Sequence, residues 1–289
     1  MKGNMMERTI QRVLIIVNTK KDESIGLASI IMKYFRNNGI DAVAIPSSSE
    51  IDKSDIADID LAFSLGGDGT VLYSARILTP LSIPIMAVNL GDFGFITEVA
   101  KDEWETSYEK YQKGILGISE RLMLEIEVKR GGKRTAKYIA LNDAVICSDG
   151  ISKIVKLKIN LSNISLGKYR ADGVIISSPT GSTAYSAAAG GPILDPRIEA
   201  MIINPICPFT LSNRPIVVNG KEIINIIVEK KQRTNLRLTI DGQLDYPLVQ
   251  GDEVSFKKYV KKAMIIHSDK RDFFEVLREK LNWSGAPDA

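Results

Sequence analysis

Apolar residues follow two rhythms along this chain, one before and one after about Leu122. In the first part, Val13 to Val17 is an unbroken apolar run, the pattern of a strand buried on both faces. Ile25, Ala28, Ile31, Met32 and Phe35 then recur at helical spacing up to Gly39. Ile40 to Ile45 returns as a strand before the turn Pro46-Ser47-Ser48-Ser49. Leu61 to Leu65 reads as the next strand, Thr70 to about Leu78 as a helix, and Pro84 to Leu90 as a further strand. Strands alternating with helices predict a parallel, helix-covered sheet, a Rossmann-like α/β domain.

After Leu122 the period drops to two. Leu122, Leu124, Ile126 and Val128 alternate with Met123, Glu125, Glu127 and Lys129, and Gly131-Gly132 turns the chain into Lys133 to Leu141. The alternation returns in Val155, Leu157, Ile159 and Leu161, and again in Leu236, Leu238 and Ile240. Many short strands joined by Gly, Asn and Pro turns predict an all-β, sandwich-like second domain. Phe273, Phe274, Val276, Leu277 and Leu281 then lie at helical spacing over Arg271 to Leu281, which predicts a terminal helix returning to the first domain. The expected division is an α/β phosphate-binding domain over 1–118, completed by 268–289, and a β-sandwich domain over 119–267.

Composition narrows the chemistry. With 289 residues and 44% hydrophobic content the chain can bury two cores, and no low-complexity tract interrupts it. The run Val13 to Val17 is too short for a signal segment or a membrane span, so a cytoplasmic protein with no membrane partner is expected. On that basis the glycosylation patterns Asn163-Ile164-Ser165 and Asn282-Trp283-Ser284 are expected to be silent. A net charge of +3, with Lys and Arg scattered, gives no reason to expect nucleic acid. Cys147 and Cys207 are too few for a disulfide framework or a cysteine-rich metal site and read as small buried hydrophobes. His267 alone excludes a Ser-His-Asp hydrolase, a Cys-His protease and a multi-histidine metal site, and reads as an ordinary strand-end histidine. Neither GxxxxGK[ST] nor a GxGxxG after a strand is present.

Two stretches carry candidate chemistry. In Ser64-Leu65-Gly66-Gly67-Asp68-Gly69-Thr70, three glycines surround one carboxylate where a strand gives way to a helix. Glycines let a polyphosphate approach the backbone, and the N–H groups at a helix start offer it positive partial charge. Gly66, Gly67, Gly69 and Thr70 are therefore candidate phosphate ligands. Asp68 would repel phosphate unless it accepts the proton of a hydroxyl being phosphorylated, with Mg2+ or another divalent cation neutralising the phosphate charge. A tight turn in which Asp68 merely caps the helix fits the same residues. Ligands collect at the carboxyl ends of parallel strands, where the turn Asn89-Leu90-Gly91-Asp92-Phe93-Gly94-Phe95 also falls, so two loops are expected to face one crevice.

The second stretch runs from Tyr169 through Arg170-Ala171-Asp172-Gly173 and Ser177-Ser178-Pro179-Thr180-Gly181-Ser182-Thr183-Ala184-Tyr185 to Gly190-Gly191-Pro192. A strand over Gly173 to Ile176 enters a cluster of small hydroxyl residues, and a short small-residue helix follows. Small side chains let a flat ligand lie close, hydroxyls can bond ribose or a base edge, and the Tyr185 ring can stack. Turn chemistry and close helix packing explain any single piece, but not a run of nearly twenty residues.

In content and order these residues resemble the ATP-dependent NAD kinase family. The resemblance is carried by Gly66-Gly67-Asp68-Gly69-Thr70, Val88-Asn89-Leu90-Gly91 with Gly94-Phe95, Leu141-Asn142-Asp143, Arg170-Ala171-Asp172-Gly173 and Pro179-Thr180-Gly181-Ser182-Thr183-Ala184-Tyr185. It continues through Pro205-Ile206-Cys207-Pro208, Leu211, Arg214-Pro215 and Asp241-Gly242-Gln243, so it spans roughly Val13 to Phe274. The GGDGT loop alone is shared with lipid kinases and phosphofructokinases; the PTGSTAY run is the specific part.

The resemblance implies transfer of the ATP γ-phosphate to the 2′-hydroxyl of the adenosine ribose of NAD, giving NADP. It makes Asp68 the base, puts Gly66, Gly67, Gly69 and Thr70 along the phosphates, and has Asp68 and Gly69 also touch NAD. Asn142 and Asp143 would hold the adenosine end, with Thr180, Thr183, Ala184 and Tyr185 beside it. Arg170 and Asp172 belong to the same NAD set, Asp172 orienting the nicotinamide half, and Phe95 stands in the crevice wall. A divalent cation arrives with ATP rather than in a protein cage, and a homodimer or homotetramer is implied. The chain departs from the family pattern at Asp143, where Glu is common, at Ala188, where serine is frequent, and at Phe209, where histidine is frequent. A GGDGT-loop kinase of a lipid or sugar hydroxyl and a non-catalytic NADP sensor are the alternatives.

Overall fold

The computed structural model describes residues 8–49, 51, 56, 58–91, 94–150, 154–210 and 212–282. Asp92 and Phe93 of the expected crevice turn, Leu211, and Trp283-Ser284 of one glycosylation pattern lie outside the described residues. The chain divides into two compact units, Met1–Glu120 with Ala263–Ala289, and Arg121–Lys262.

The first unit runs through β1 (Arg12–Val17), α1 (Asp22–Asn37), β2 (Asp41–Pro46), β3 (Leu61–Gly66), α2 (Asp68–Leu78), β4 (Ile85–Asn89), β5 (Val99–Ala100), α3 (Trp104–Gln112) and β6 (Ile118–Arg121). The second holds β7 (Leu124–Arg130), β8 (Lys133–Ala140), β9 (Asp143–Ser148), β10 (Val155–Leu161), β11 (Ile164–Ala171), β12 (Gly173–Ser177), the one-turn helix α4 (Tyr185–Ala188), β13 (Ala200–Ile206) and β14 (Ile216–Asn219). It continues with β15 (Ile224–Val228), β16 (Leu236–Ile240), β17 (Leu244–Leu248) and β18 (Glu253–Lys258), after which β19 (Ala263–Ile266) and α5 (Phe273–Leu281) return to the first unit.

In the first unit the sheet order is β2-β1-β3-β4-β19-β6, with β5 also on β4. The pairs β1–β2, β1–β3, β3–β4, β4–β5 and β4–β19 are all parallel. β3 and β4 are buried at every residue, as apolar runs covered on both faces must be. The strand Ala263–Ile266, grouped with the sandwich by the sequence boundaries, pairs instead through Ile265 with Ile85 of β4. α1 buries Ala28, Ile31 and Phe35, whereas Ile25, counted on the same stripe, is 45% exposed. Phe35 stacks edge-on with Tyr108 at 4.8 Å and tilts against Phe63 at 5.5 Å, which ties both helices to the sheet. α5 starts with a capping box between Asp272 and Glu275 and buries Val276 and Leu277.

The second unit is a sandwich of two six-stranded antiparallel sheets, β11-β10-β15-β18-β7-β8 and β14-β13-β12-β9-β16-β17. One core joins them, with Ile126, Leu157, Ile226 and Phe256 from the first sheet and Ile146, Val174, Ile203 and Leu238 from the second. Alternate burial along Val155–Ile159 and Leu236–Ile240 is what a period of two produces when one face meets a core. Leu122 and Met123 are buried yet precede β7, so the first strand is shorter than its apolar pattern.

Candidate active site

The phosphate loop sits where β3 ends. Gly66 closes β3 opposite Asn89 of β4, and Leu90 N donates to Gly66 O at 3.0 Å, so the ends of two neighbouring parallel strands meet. Gly67 takes the helix N-cap in an extended conformation, and Asp68 is the first helical residue rather than the cap. α2 thus begins two residues before its apolar spacing, because a glycine can occupy the turn and leave the carboxylate free for another contact. A Cβ on Gly66 would lie 2.2 Å from Oγ1 of the buried Thr70, so that glycine makes room for Thr70 and not for a ligand. A Cβ on Gly67 would meet no atom within 4 Å. Of these two positions, only Gly67 leaves open space beside the loop.

Asp68 does not cap α2. Its Oδ2 accepts from Phe95 N at 2.9 Å, while Oδ1 accepts from Ile96 N at 3.3 Å, Thr97 N at 3.3 Å and Thr97 Oγ1 at 3.2 Å. A Cβ on Gly94 would fall 1.8 Å from Oδ1, so the loop after β4 can close on the carboxylate only with glycine there. Phe95 is in turn held by α5, its ring 6.4 Å from Phe273 and 5.9 Å from Lys280 Nζ. The two loops expected to share one crevice are therefore joined through Asp68. Thr97 and Gly94 were not legible as partners of Asp68, since nothing local in the sequence couples residues so far apart.

In the second unit the loop before β9 meets the segment after β12. Asn142 O accepts from Ser178 N at 2.8 Å, and a Cβ on Gly181 would lie 2.1 Å from that same oxygen. Ser178 Oγ donates to Leu141 O, Ser177 Oγ to Ser178 O at 2.9 Å, and Ser182 Oγ to Pro179 O at 2.6 Å. These hydroxyls, expected to serve a ligand, are buried and spent on backbone carbonyls, as burial of a polar group demands. Buried and without a hydrogen-bond partner, however, are Oδ1 of Asn142 and Oγ1 of Thr180. Thr183 follows in the same 3₁₀ turn, its Oγ1 donating to Thr180 O at 3.2 Å, and Ala184 leads into Tyr185, whose ring is half exposed.

Asp143, the first residue of β9, is buried, and burial together with the nearby Asp241 carboxylate pushes it up to about 7. Asp241 itself accepts from the N–H groups of Leu141, Asn142 and Asp143 at 3.1, 2.8 and 3.2 Å. It does so from a left-handed conformation, φ 51°, followed by Gly242 at φ 62°, in the tight turn joining β16 and β17. The Asp-Gly pair between two alternating runs is a sequence signal for that turn, although not for the anchoring of Asn142. Burial first, and then Cys147, Cys207, Asp143 and Asp172, raise the Tyr185 hydroxyl, so both carboxylates act on Tyr185. The Arg170 guanidinium lies 4.8 Å over the Phe209 ring. Cys147 is half-buried, but Cys207, expected to be buried, is exposed because the chain leaves β13 there in a left-handed turn, φ 43°. Among the described residues no three His, Cys, Asp or Glu side chains gather as a metal site, and no helix is long and apolar enough to cross a membrane.

Comparison with known proteins points one way. The family model described as the ATP-NAD kinase N-terminal domain matches residues 46–115, and that of the ATP-NAD kinase C-terminal domain matches residues 141–268. The NAD kinase of Treponema denticola is 40% identical over 282 residues, covering 96% of this chain and 98% of its own. That of Geotalea daltonii is 35% identical over 282 residues, covering 95% and 99%. In fold, yeast NADH kinase complexed with NADH is similar at a TM-score of 0.84 and 22% identity, over 98% of this chain and 90% of that one. An NAD kinase from Archaeoglobus fulgidus in complex with ATP is similar at 0.74 and 24%, over 92% and 99%.

Proposed function

We infer, because this chain belongs to the NAD kinase family, that it moves the γ-phosphate of ATP onto the 2′-hydroxyl of the adenosine ribose of NAD, giving NADP and ADP. A lipid or sugar kinase and a silent NADP sensor are not favoured, since relatives aligned over nearly the whole chain carry the NAD kinase name.

The observation that carries the mechanism is the setting of Asp68, a carboxylate at the first turn of α2, one residue from the open side of Gly67 and held by a second loop. In the proposed reaction Asp68 takes the ribose 2′-hydroxyl proton as the ribose oxygen bonds to the γ-phosphorus and the bond to ADP breaks. Gly67, Gly69 and the α2 N-terminus face the phosphates, with Gly66 and Thr70 fixing the loop beneath them. Asn142, Thr180, Thr183, Ala184 and Tyr185 are assigned to NAD, supported by the unpartnered Asn142 Oδ1 and Thr180 Oγ1 and by the exposed Tyr185 ring. Asp143, Asp172, Arg170 and Phe95 complete that assignment. A divalent cation accompanying ATP fits a loop with a single, already hydrogen-bonded carboxylate, and it supplies charge neutralisation at the phosphates. Homo-oligomeric assembly and a cytoplasmic location belong to the same proposal.

Incubation with ATP, Mg2+ and NAD, with NADP read by an NADP-specific dehydrogenase, tests the activity. Asp68→Asn should lower kcat by about 100-fold or more while NAD binding persists. Wild-type turnover in that variant would remove Asp68 from the base role.

A further inference from the structure

Four hydrogen bonds reach the Asp68 carboxylate, and they are shared unequally. Oδ1 accepts three, from Ile96 N, Thr97 N and Thr97 Oγ1, and Oδ2 accepts one, from Phe95 N. A carboxylate offers about two acceptor directions per oxygen. Oδ1 is thus filled, and Oδ2 keeps a direction open. Three of these donors are backbone amides; the fourth, Thr97, is the side chain of the set and is fully buried. Its Oγ1 also accepts from Gly94 N at 2.9 Å, which turns the single hydroxyl proton toward Asp68. Among the described residues no other acceptor competes for that proton.

We propose that Thr97 is a positioning residue for phosphoryl transfer: its hydroxyl pins Oδ1 of Asp68 and so presents Oδ2 as the oxygen that takes the acceptor's proton. The inference rests on Asp68 being the base. A pinned carboxylate cannot swing about its last torsion, so its open lone pair is already aligned when the hydroxyl arrives. Alignment of this kind is used at the transition state and not in holding either substrate, so its loss belongs to kcat.

Three variants test this in the full chain. Thr97→Val keeps the shape and removes the hydroxyl; it should lower kcat by about tenfold and move KM for NAD and for ATP by less than about threefold. Thr97→Ser keeps the hydroxyl and loses a methyl group, and should restore kcat to within about threefold of wild type. Asp68→Asn runs beside them. Should Thr97→Val fail to fold, Thr97→Ala against Thr97→Ser carries the same comparison. Equal losses in the Val and Ser variants, or a rise in KM with kcat intact, would make Thr97 a packing residue and overturn the inference. An inactive Asp68→Asn with an unimpaired Thr97→Val sinks this inference alone, whereas an active Asp68→Asn sinks the base assignment beneath it.

Discussion

Asp68 and Asp143 are both carboxylates expected on substrate, and their surroundings differ. Asp68 is half-exposed and accepts from three amides and a hydroxyl. Asp143 is buried beside Asp241, whose oxygens have taken the nearby amides of 141–143, and its charged form is disfavoured. The consequence is a pH dependence of folding. Below about pH 4, Asp143 is protonated in folded and unfolded chains alike. As pH rises toward about 7, the unfolded chain ionises first, so stability falls across that window and is lost as the folded carboxyl titrates. The loss is on the order of 4 kcal/mol at most. Thermal unfolding of the ligand-free protein from pH 4 to 8 should show wild type losing stability relative to Asp143→Asn as pH rises. Parallel profiles would show that Asp143 is not held protonated. That this position is an acid in a ligand-binding segment was legible in the sequence through the resemblance; its proximity to Asp241, nearly a hundred residues away, was not.

At the scale of elements, periodicity found the strands and helices, while single contacts set their ends. α2 starts at Asp68 rather than Thr70 because Gly67 accepts the cap position and Thr70 fills the space left by Gly66. The hydroxyl-rich segment after β12 was visible as a functional element, yet Ser178 donates to Leu141 O while Ser177 and Ser182 donate to the carbonyls of Ser178 and Pro179 in the segment itself. A count of hydroxyls says nothing about which carbonyls they will find. Gly181 is where that packing is tightest, so Gly181→Ala forces the 3₁₀ turn and the Asn142 backbone apart. It should destabilise the protein by about 1–3 kcal/mol and raise KM for NAD more than it lowers kcat. Calorimetry with steady-state kinetics checks both, and a stable variant with an unchanged KM would show that the close contact is dispensable.

For the whole molecule, the resemblance is the ground on which assembly from copies of the chain is proposed. Light scattering in solution should give a mass of two or four chains, and a strict monomer would refute the assembly. The sequence alone determined that an α/β sheet precedes a β-sandwich, that a GGDGT loop opens a helix, and that Asp68 is the lone carboxylate there, because period and glycine placement are local properties. Tertiary structure alone decided that β19 enters the parallel sheet between β4 and β6, that Gly94 to Thr97 closes on Asp68, and that Asp241 anchors Asn142. Each joins residues distant in the chain, and such contacts form only when burial, backbone hydrogen bonding and the space left by a missing Cβ are satisfied together in the folded molecule.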